Sequence, residues 1–204
     1  MIGIVNNAFH DYVLEHHGPE TWLRIAEQVG TSVFIGTEEY DDRMTTDLAE
    51  ALGREVGLAP EVVLERVGEH FGRQCAGRDF GVLLNAGSAT YRDFLRGLPD
   101  LQTRFGLIYP NTRPPRFAVE DTGPDSVTIV HFTSREGLSP LLAGVLAGLA
   151  SVFGMEAAVT RSSRGSGDGR CYVFQVAWRP RVEAPRPPAP RRRREDPAQR
   201  LAYA

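Results

Sequence analysis

Through the first hundred residues, apolar side chains recur at the three- and four-residue intervals that line one face of an α-helix. Ile2, Ile4, Val5, Phe9, Tyr12, Val13 and Leu14 predict a first helix, with His16 and His17 at its exposed end. Gly18-Pro19 then precedes Trp22, Ile25, Ala26 and Val29, and Gly30 closes the run. Proline suits a first helical turn, where its missing N–H has no partner to lose, and glycine suits the residue after the last turn. Thr45-Thr46 is expected to cap a stretch ending at Gly57, and Pro60 to open a helix whose Leu64, Val67, Phe71 and Cys75 share one stripe. A further helical segment is expected over 90–105, interrupted or started at Pro99.

Beyond Tyr109-Pro110 and the Arg113-Pro114-Pro115 turn the period shortens to two. Phe117 to Val119 and Val127 to Phe132 are short alternating runs rich in β-branched residues and predict strands. Leu138 to Phe153 predicts one long apolar helix. Ala157 to Arg161 and Arg170 to Trp178, joined by Gly165-Ser166-Gly167-Asp168-Gly169, predict a hairpin with a glycine-rich turn. That turn lacks both the GxxxxGK[ST] spacing and a following helix, so it is read as a hairpin loop and not as a phosphate cradle. The pattern amounts to one α+β domain over 1–181.

Composition adds limits. In a chain of 204 residues, 42% hydrophobic and 24% charged, one core is the expectation. Ser139, Pro140, Gly144, Gly148 and Ser151 break the longest apolar stretch, so no membrane span is expected. The opening residues carry no secretory pattern, which makes the cytoplasm the expected location. Cys75 and Cys171 are far apart and are read as core thiols, not as a disulfide or zinc set. Eight arginines from Arg179 onward stand against Glu183, Glu195 and Asp196, so the tail carries a net +5 and the remainder −8. Residues 182–204, rich in proline and arginine, cannot bury enough apolar surface to order and are expected to be a disordered tail. Without interleaved aromatics, the four-arginine run is read as a solvated charge run and no nucleic-acid partner is expected.

The catalytic vocabulary is thin. Histidines 10, 16, 17, 70 and 131 form no HExxH, no serine sits in GxSxG, and neither cysteine adjoins a base, so no enzyme is expected. Glu38-Glu39 and Asp41-Asp42 make an acidic stretch between helices, read as solvated charge ahead of a cation site.

Several motifs go further. Met1-Ile-Gly-Ile-Val-Asn-Asn-Ala-Phe9, Gly18-Pro-Glu-Thr-Trp22, Phe94-Leu-Arg-Gly-Leu98, Ile108-Tyr-Pro110, Arg113-Pro-Pro-Arg-Phe117 and Arg135-Glu-Gly-Leu138 resemble the heme nitric oxide/oxygen-binding (H-NOX) family, in register from Met1 to about Trp178. The resemblance implies a helical N-terminal part packed on a C-terminal part with a four-stranded antiparallel sheet. It also implies a cytoplasmic gas sensor for nitric oxide, with heme b as cofactor and a histidine kinase or nucleotide cyclase as signalling partner.

In the family a proximal histidine ligates the heme iron from the helix before the Tyr-Pro segment. Here the residue seven before Tyr109 is Gln102, whose amide is a poor iron donor beside neutral imidazole. A Tyr-x-Ser-x-Arg motif clamps the heme propionates in the family, and this chain has His131, Thr133 and Arg135 at those positions. The arginine keeps its planar fork for carboxylates and the threonine keeps a hydroxyl. Arg135 has a plainer reading too, as the partner of an acid at a helix start. Pro115 corresponds to the proline that presses on the macrocycle, and Val5, Phe9, Gln74 and 141–145 to the distal wall. No tyrosine stands at those distal positions, which disfavours stable oxygen binding. Three functions follow: a gas sensor with unusual heme ligation, a heme-free sensor for another small molecule, or a ligand-free interaction domain that regulates a kinase or cyclase.

Overall fold

Asp41, not Thr45-Thr46, starts the third helix. Its Oδ1 accepts from the Arg43 amide at 2.8 Å, and the helix runs Asp42–Val56 to a left-handed Gly57. Thr45 points inward: its hydroxyl donates to Asn6 Oδ1 at 2.8 Å, with both residues fully buried. A threonine pair resembles a cap in sequence, but the preceding aspartate is the residue placed to cap. The computed structural model describes residues 1–75, 88–108, 115–133, 135–165 and 171–181, without the side chains of Gln102, Phe105 and Ile108.

The elements in chain order are α1 (Gly3–His16), α2 (Pro19–Val29), α3 (Asp42–Val56), α4 (Pro60–Gln74), α5 (Tyr91–Arg96), a 3₁₀ turn (Leu98–Asp100), α6 (Leu101–Ile108), β1 (Arg116–Gly123), β2 (Ser126–Phe132), α7 (Ser139–Ala150), a 3₁₀ turn (Ser151–Phe153), β3 (Met155–Arg164) and β4 (Cys171–Pro180). The expected 90–105 segment is therefore two helices separated at Pro99. α2 has proline at its first position and left-handed Gly30 after its last, with Trp22, Ile25 and Ala26 buried.

The sheet is antiparallel throughout, in the order β1-β2-β4-β3. The β3–β4 pairing runs from Met155 opposite Pro180 to Arg164 opposite Cys171. The hairpin is therefore present, while its 166–170 turn, like the expected tail at 182–204, lies outside the described residues. Val127 and Ile129 of β2 and Phe174 and Val176 of β4 face the core. Period-two alternation then carries His131 to the same face of β2 as Val127 and Ile129. Cys75 is buried, but Cys171, at the first position of β4, is only partly so.

Among the described helices, α4 and α7 pack most tightly. Each presents two glycines four residues apart, Gly68 and Gly72 against Gly144 and Gly148. A methyl group on any of them would lie 2.0–2.5 Å from a carbonyl oxygen of the facing helix. Tyr91 of α5 braces the far end of α7: its fully buried hydroxyl donates to the Leu146 carbonyl at 2.7 Å, and its ring meets Trp178 edge-on at 5.5 Å. Burial holds that phenol protonated, far above its ordinary range. No helix among the described residues is long and apolar enough to cross a membrane.

Candidate functional site

A cavity of about 680 Å³ opens between α7, the N-terminal residues and the β1–β2 end of the sheet, within the range usual for small-molecule sites. Its apolar walls come from Leu141, Leu142, Val145, Leu146 and Leu149 of α7, Phe71 of α4, Phe94 of α5, Leu98, Leu101 and Phe117. Its polar lining includes Glu39, Asp41, Asp42, Arg116, His131, Thr133, Arg135 and Ser139.

The structure brings together Val5, Pro115, His131, Thr133 and Arg135 of the residues singled out from the sequence. Phe9 and Gln74 do not line the cavity. Phe9, one turn beyond Val5 on α1, is 1% exposed within the helical core. Gln74 is turned toward His70, with 2.8 Å between its Nε2 and the imidazole Nε2. The side chain of Gln102 and the segment 109–114 lie outside the described residues.

Arg135 is already engaged. Its Nε stands 3.2 Å from Asp42 Oδ2, while the other oxygen of the same carboxylate takes the Met1 ammonium at 2.8 Å. Asp42 opens α3, so the plainer sequence reading of Arg135 is the arrangement present here. Arg135 also donates its backbone N–H to Thr133 Oγ1 at 3.0 Å, which uses an acceptor site of that hydroxyl and leaves its O–H to donate. The acidic stretch thus works as a helix cap at Asp41 and as an ion-pair hub at Asp42.

His131 is the one histidine among the described cavity-lining residues. Its ring stacks on Phe117, its partner in the β1–β2 register, at 5.0 Å between centroids. Its Nδ1 is buried without a hydrogen-bond partner. Burial first, and the Arg135 charge second, push its pKa down to about 4, so the ring is neutral at pH 7. A buried, unsatisfied nitrogen costs roughly 1–3 kcal/mol.

Met1, Ile2, Tyr40, Asp42, Arg116 and Tyr172 also line the wall, none of them a site residue expected from the sequence. For Arg116 and Tyr172 a signal existed: Arg116 pairs with Phe132 in register and Tyr172 with His131, so both flank the predicted strand residues. Asp42 reaches the site through folding contacts 93 residues away in sequence from Arg135, and no local pattern announces it.

Comparison with known proteins agrees with this architecture. Soluble guanylate cyclase 89Db of Drosophila melanogaster is 22% identical over 155 residues, covering 75% of this chain but 23% of the relative. Soluble guanylate cyclase gcy-33 of Caenorhabditis elegans is 24% identical over the same length, covering 16% of the relative. The chain thus spans under a quarter of these relatives. Among solved structures, an Fe(II) unliganded H-NOX protein from K. algicida superposes with a TM-score of 0.73 at 20% identity, over 89% of this chain and 98% of that one. An H-NOX protein from S. oneidensis in the Fe(II)NO ligation state gives 0.74 at 16% identity, over 88% and 99%. The family model described as Haem-NO-binding matches residues 2–161, from the residue before α1 into β3, and the chain belongs to that family, H-NOX.

Proposed function

We propose that the domain is the sensory module of a signalling protein, and that its cavity takes a flat, largely apolar molecule bearing a carboxylate. Heme b and metal-free porphyrins both meet that description. The carrying observation is that Arg135, Thr133 and His131 converge on one rim of an apolar cavity, while the chain has glutamine at 102 on α6.

The residues present fit the macrocycle: leucine, valine and phenylalanine walls suit its faces, and a guanidinium beside a hydroxyl suits its carboxylates. They do not fit the iron in the usual way, because an amide stands where imidazole is needed and no histidine lies between His70 and His131. In this reading the ligand is held by burial and by its acid group, and nitric oxide sensing through a histidine-ligated iron is lost or altered. The module is not itself an enzyme and works in the cytoplasm. Its partner is a nucleotide cyclase ahead of a histidine kinase, on the strength of the guanylate cyclase relatives.

Titration of the protein with hemin and with protoporphyrin IX, followed by absorption and tryptophan quenching, tests this. Comparable affinities are expected for the two, with no imidazole-ligated spectrum for hemin. Gln102→His should raise hemin affinity by about tenfold or more, a difference of about 1.4 kcal/mol, and leave protoporphyrin unchanged. A wild-type protein that prefers hemin strongly and shows a coordinated-imidazole spectrum refutes the proposal. Should neither macrocycle bind and the Gln102→His protein stay colourless, the cavity is not a porphyrin site. The Arg135–Asp42 pair, which closes the clamp from within, would then favour a ligand-free module that regulates its partner by contact.

A further inference from the structure

Where the end of α1 meets α4, the last turn of α1 gathers three imidazoles around one phenol. The rings of His16, His70 and His17 stand 4.6, 5.5 and 5.7 Å from that of Tyr12, and His16 and His70 are 5.6 Å from each other. Glu15 reaches between two of them: one carboxylate oxygen is 3.7 Å from His16 Nε2 and the other 4.0 Å from His70 Nδ1. These separations exceed hydrogen-bond length. The donors therefore converge on a point without bonding one another. One donor atom each from Glu15, His16 and His70 lies within 4.8 Å of the other two, and among the described residues no other such group of His, Cys, Asp or Glu occurs.

His70 is the fixed member. It is 7% exposed, and Gln74, one turn along α4, holds its Nε2 from behind. Nδ1 is thereby aimed at the Glu15 carboxylate. The nearby His17 contributes a further buried nitrogen, Nε2, without a hydrogen-bond partner.

We propose that Glu15, His16 and His70 form a binding site for a borderline divalent transition ion of the zinc class, with the fourth position open. Two imidazoles and one carboxylate are a zinc-type donor set; calcium and magnesium select oxygen donors instead. Rotation of the Gln74 amide lets its oxygen accept from Nε2–H, freeing the Nδ1 lone pair for the ion and fixing the tautomer. Zinc bonds of roughly 2.0–2.2 Å require donors roughly 3.3 Å apart. The exposed Glu15 and His16 side chains can close that gap around the fixed His70. The Arg73 charge opposes a cation, but its guanidinium is paired with Glu69. The bound ion would pin the end of α1 to α4, independently of what the cavity holds.

The test uses tag-free protein and Co²⁺ as probe, displaced by Zn²⁺. Expected are one saturable equivalent, visible ligand-field bands of a four-coordinate Co²⁺ that Zn²⁺ abolishes, and a Zn²⁺-dependent rise in Tm. His16→Ala and Glu15→Gln, both at exposed positions, should fold with the wild-type Tm in chelator and lose affinity by about tenfold or more. His10→Ala should bind as wild type, since that ring is engaged by Asp11 at 3.2 Å and by the edge of Trp22. His70→Ala risks the fold, so the two exposed variants decide. Absence of saturable binding at one equivalent, binding indifferent to both variants, or near-ultraviolet thiolate bands that point to Cys75 or Cys171 would each overturn the proposal.

Discussion

Replacing Gly148 with alanine is predicted to destabilise the domain, although the same change in most helix interiors does the opposite. A Cβ at Gly148 would meet the Glu69 carbonyl oxygen at 2.1 Å, its carbon at 2.9 Å and the Arg73 nitrogen at 3.0 Å, all of them backbone atoms of α4. Close carbon to oxygen contacts between helices run at about 3.3–3.6 Å, so α7 would have to retreat by roughly 1.2 Å. Gly68, Gly72 and Gly144 hold the same seam, and the retreat cannot be local. Alanine gains up to about 1 kcal/mol of helix propensity over glycine, against which overpacking of this kind costs about 1–3 kcal/mol or more. With rigid backbone on both sides the upper end applies, for a net loss of about 1–2 kcal/mol and a Tm lower by about 2–8 °C in a domain of this size. Gly106→Ala on α6, where among the described residues no atom beyond the helix's own backbone and the adjoining residues lies within 4 Å of the added methyl, is the control and should stabilise by up to about 1 kcal/mol. Urea denaturation with unchanged m-values would separate the two. If Gly148→Ala proved as stable as wild type or more so, the close approach of α4 and α7 would be wrong.

Two further predictions concern the cavity rim. His131, with a folded pKa of about 4 against 6.5 in the unfolded chain, binds fewer protons folded than unfolded between those values. Its contribution is therefore present above pH 6.5 and lost as pH falls toward 4, on the order of 3 kcal/mol in all; His131→Phe should flatten that part of the pH–stability profile, and an unchanged slope would count against a neutral buried ring. Asp42→Asn should release Arg135 and strengthen binding of protoporphyrin IX by up to about fivefold, as expected for a partly exposed ion pair worth up to about 1 kcal/mol, while binding of the uncharged protoporphyrin dimethyl ester is unaffected; equal changes for both ligands would mean that Arg135 does not read the acid.

The fold was legible wherever one residue type had one physical use. Pro19 and Gly30 bracket α2 because proline tolerates the first turn and glycine the left-handed one. The alternation of Val127, Ile129 and His131 gave both the strand and the face on which His131 lies. Residues with two uses misled: Thr45 has the chemistry of a cap, yet its hydroxyl serves a buried bond to Asn6. The α4–α7 seam was invisible for a related reason, since glycine four residues apart reads as a tolerated helix defect until the facing helix supplies a second such pair.

The site was legible through the family resemblance, whose propionate-clamp motif singles out His131, Thr133 and Arg135, and these three residues line one cavity. What sequence could not supply is that the acid read as solvated charge at Asp42 and the acid wanted by Arg135 are the same carboxylate. Two ambiguous features, each with a bland and a functional reading, resolve each other once α3 starts at Asp42 and brings it to the rim. The resolution also changes the chemistry, because a ligand carboxylate reaching Arg135 must compete with Asp42. Entry of an acid at the rim would then loosen the tie between Arg135 and the start of α3.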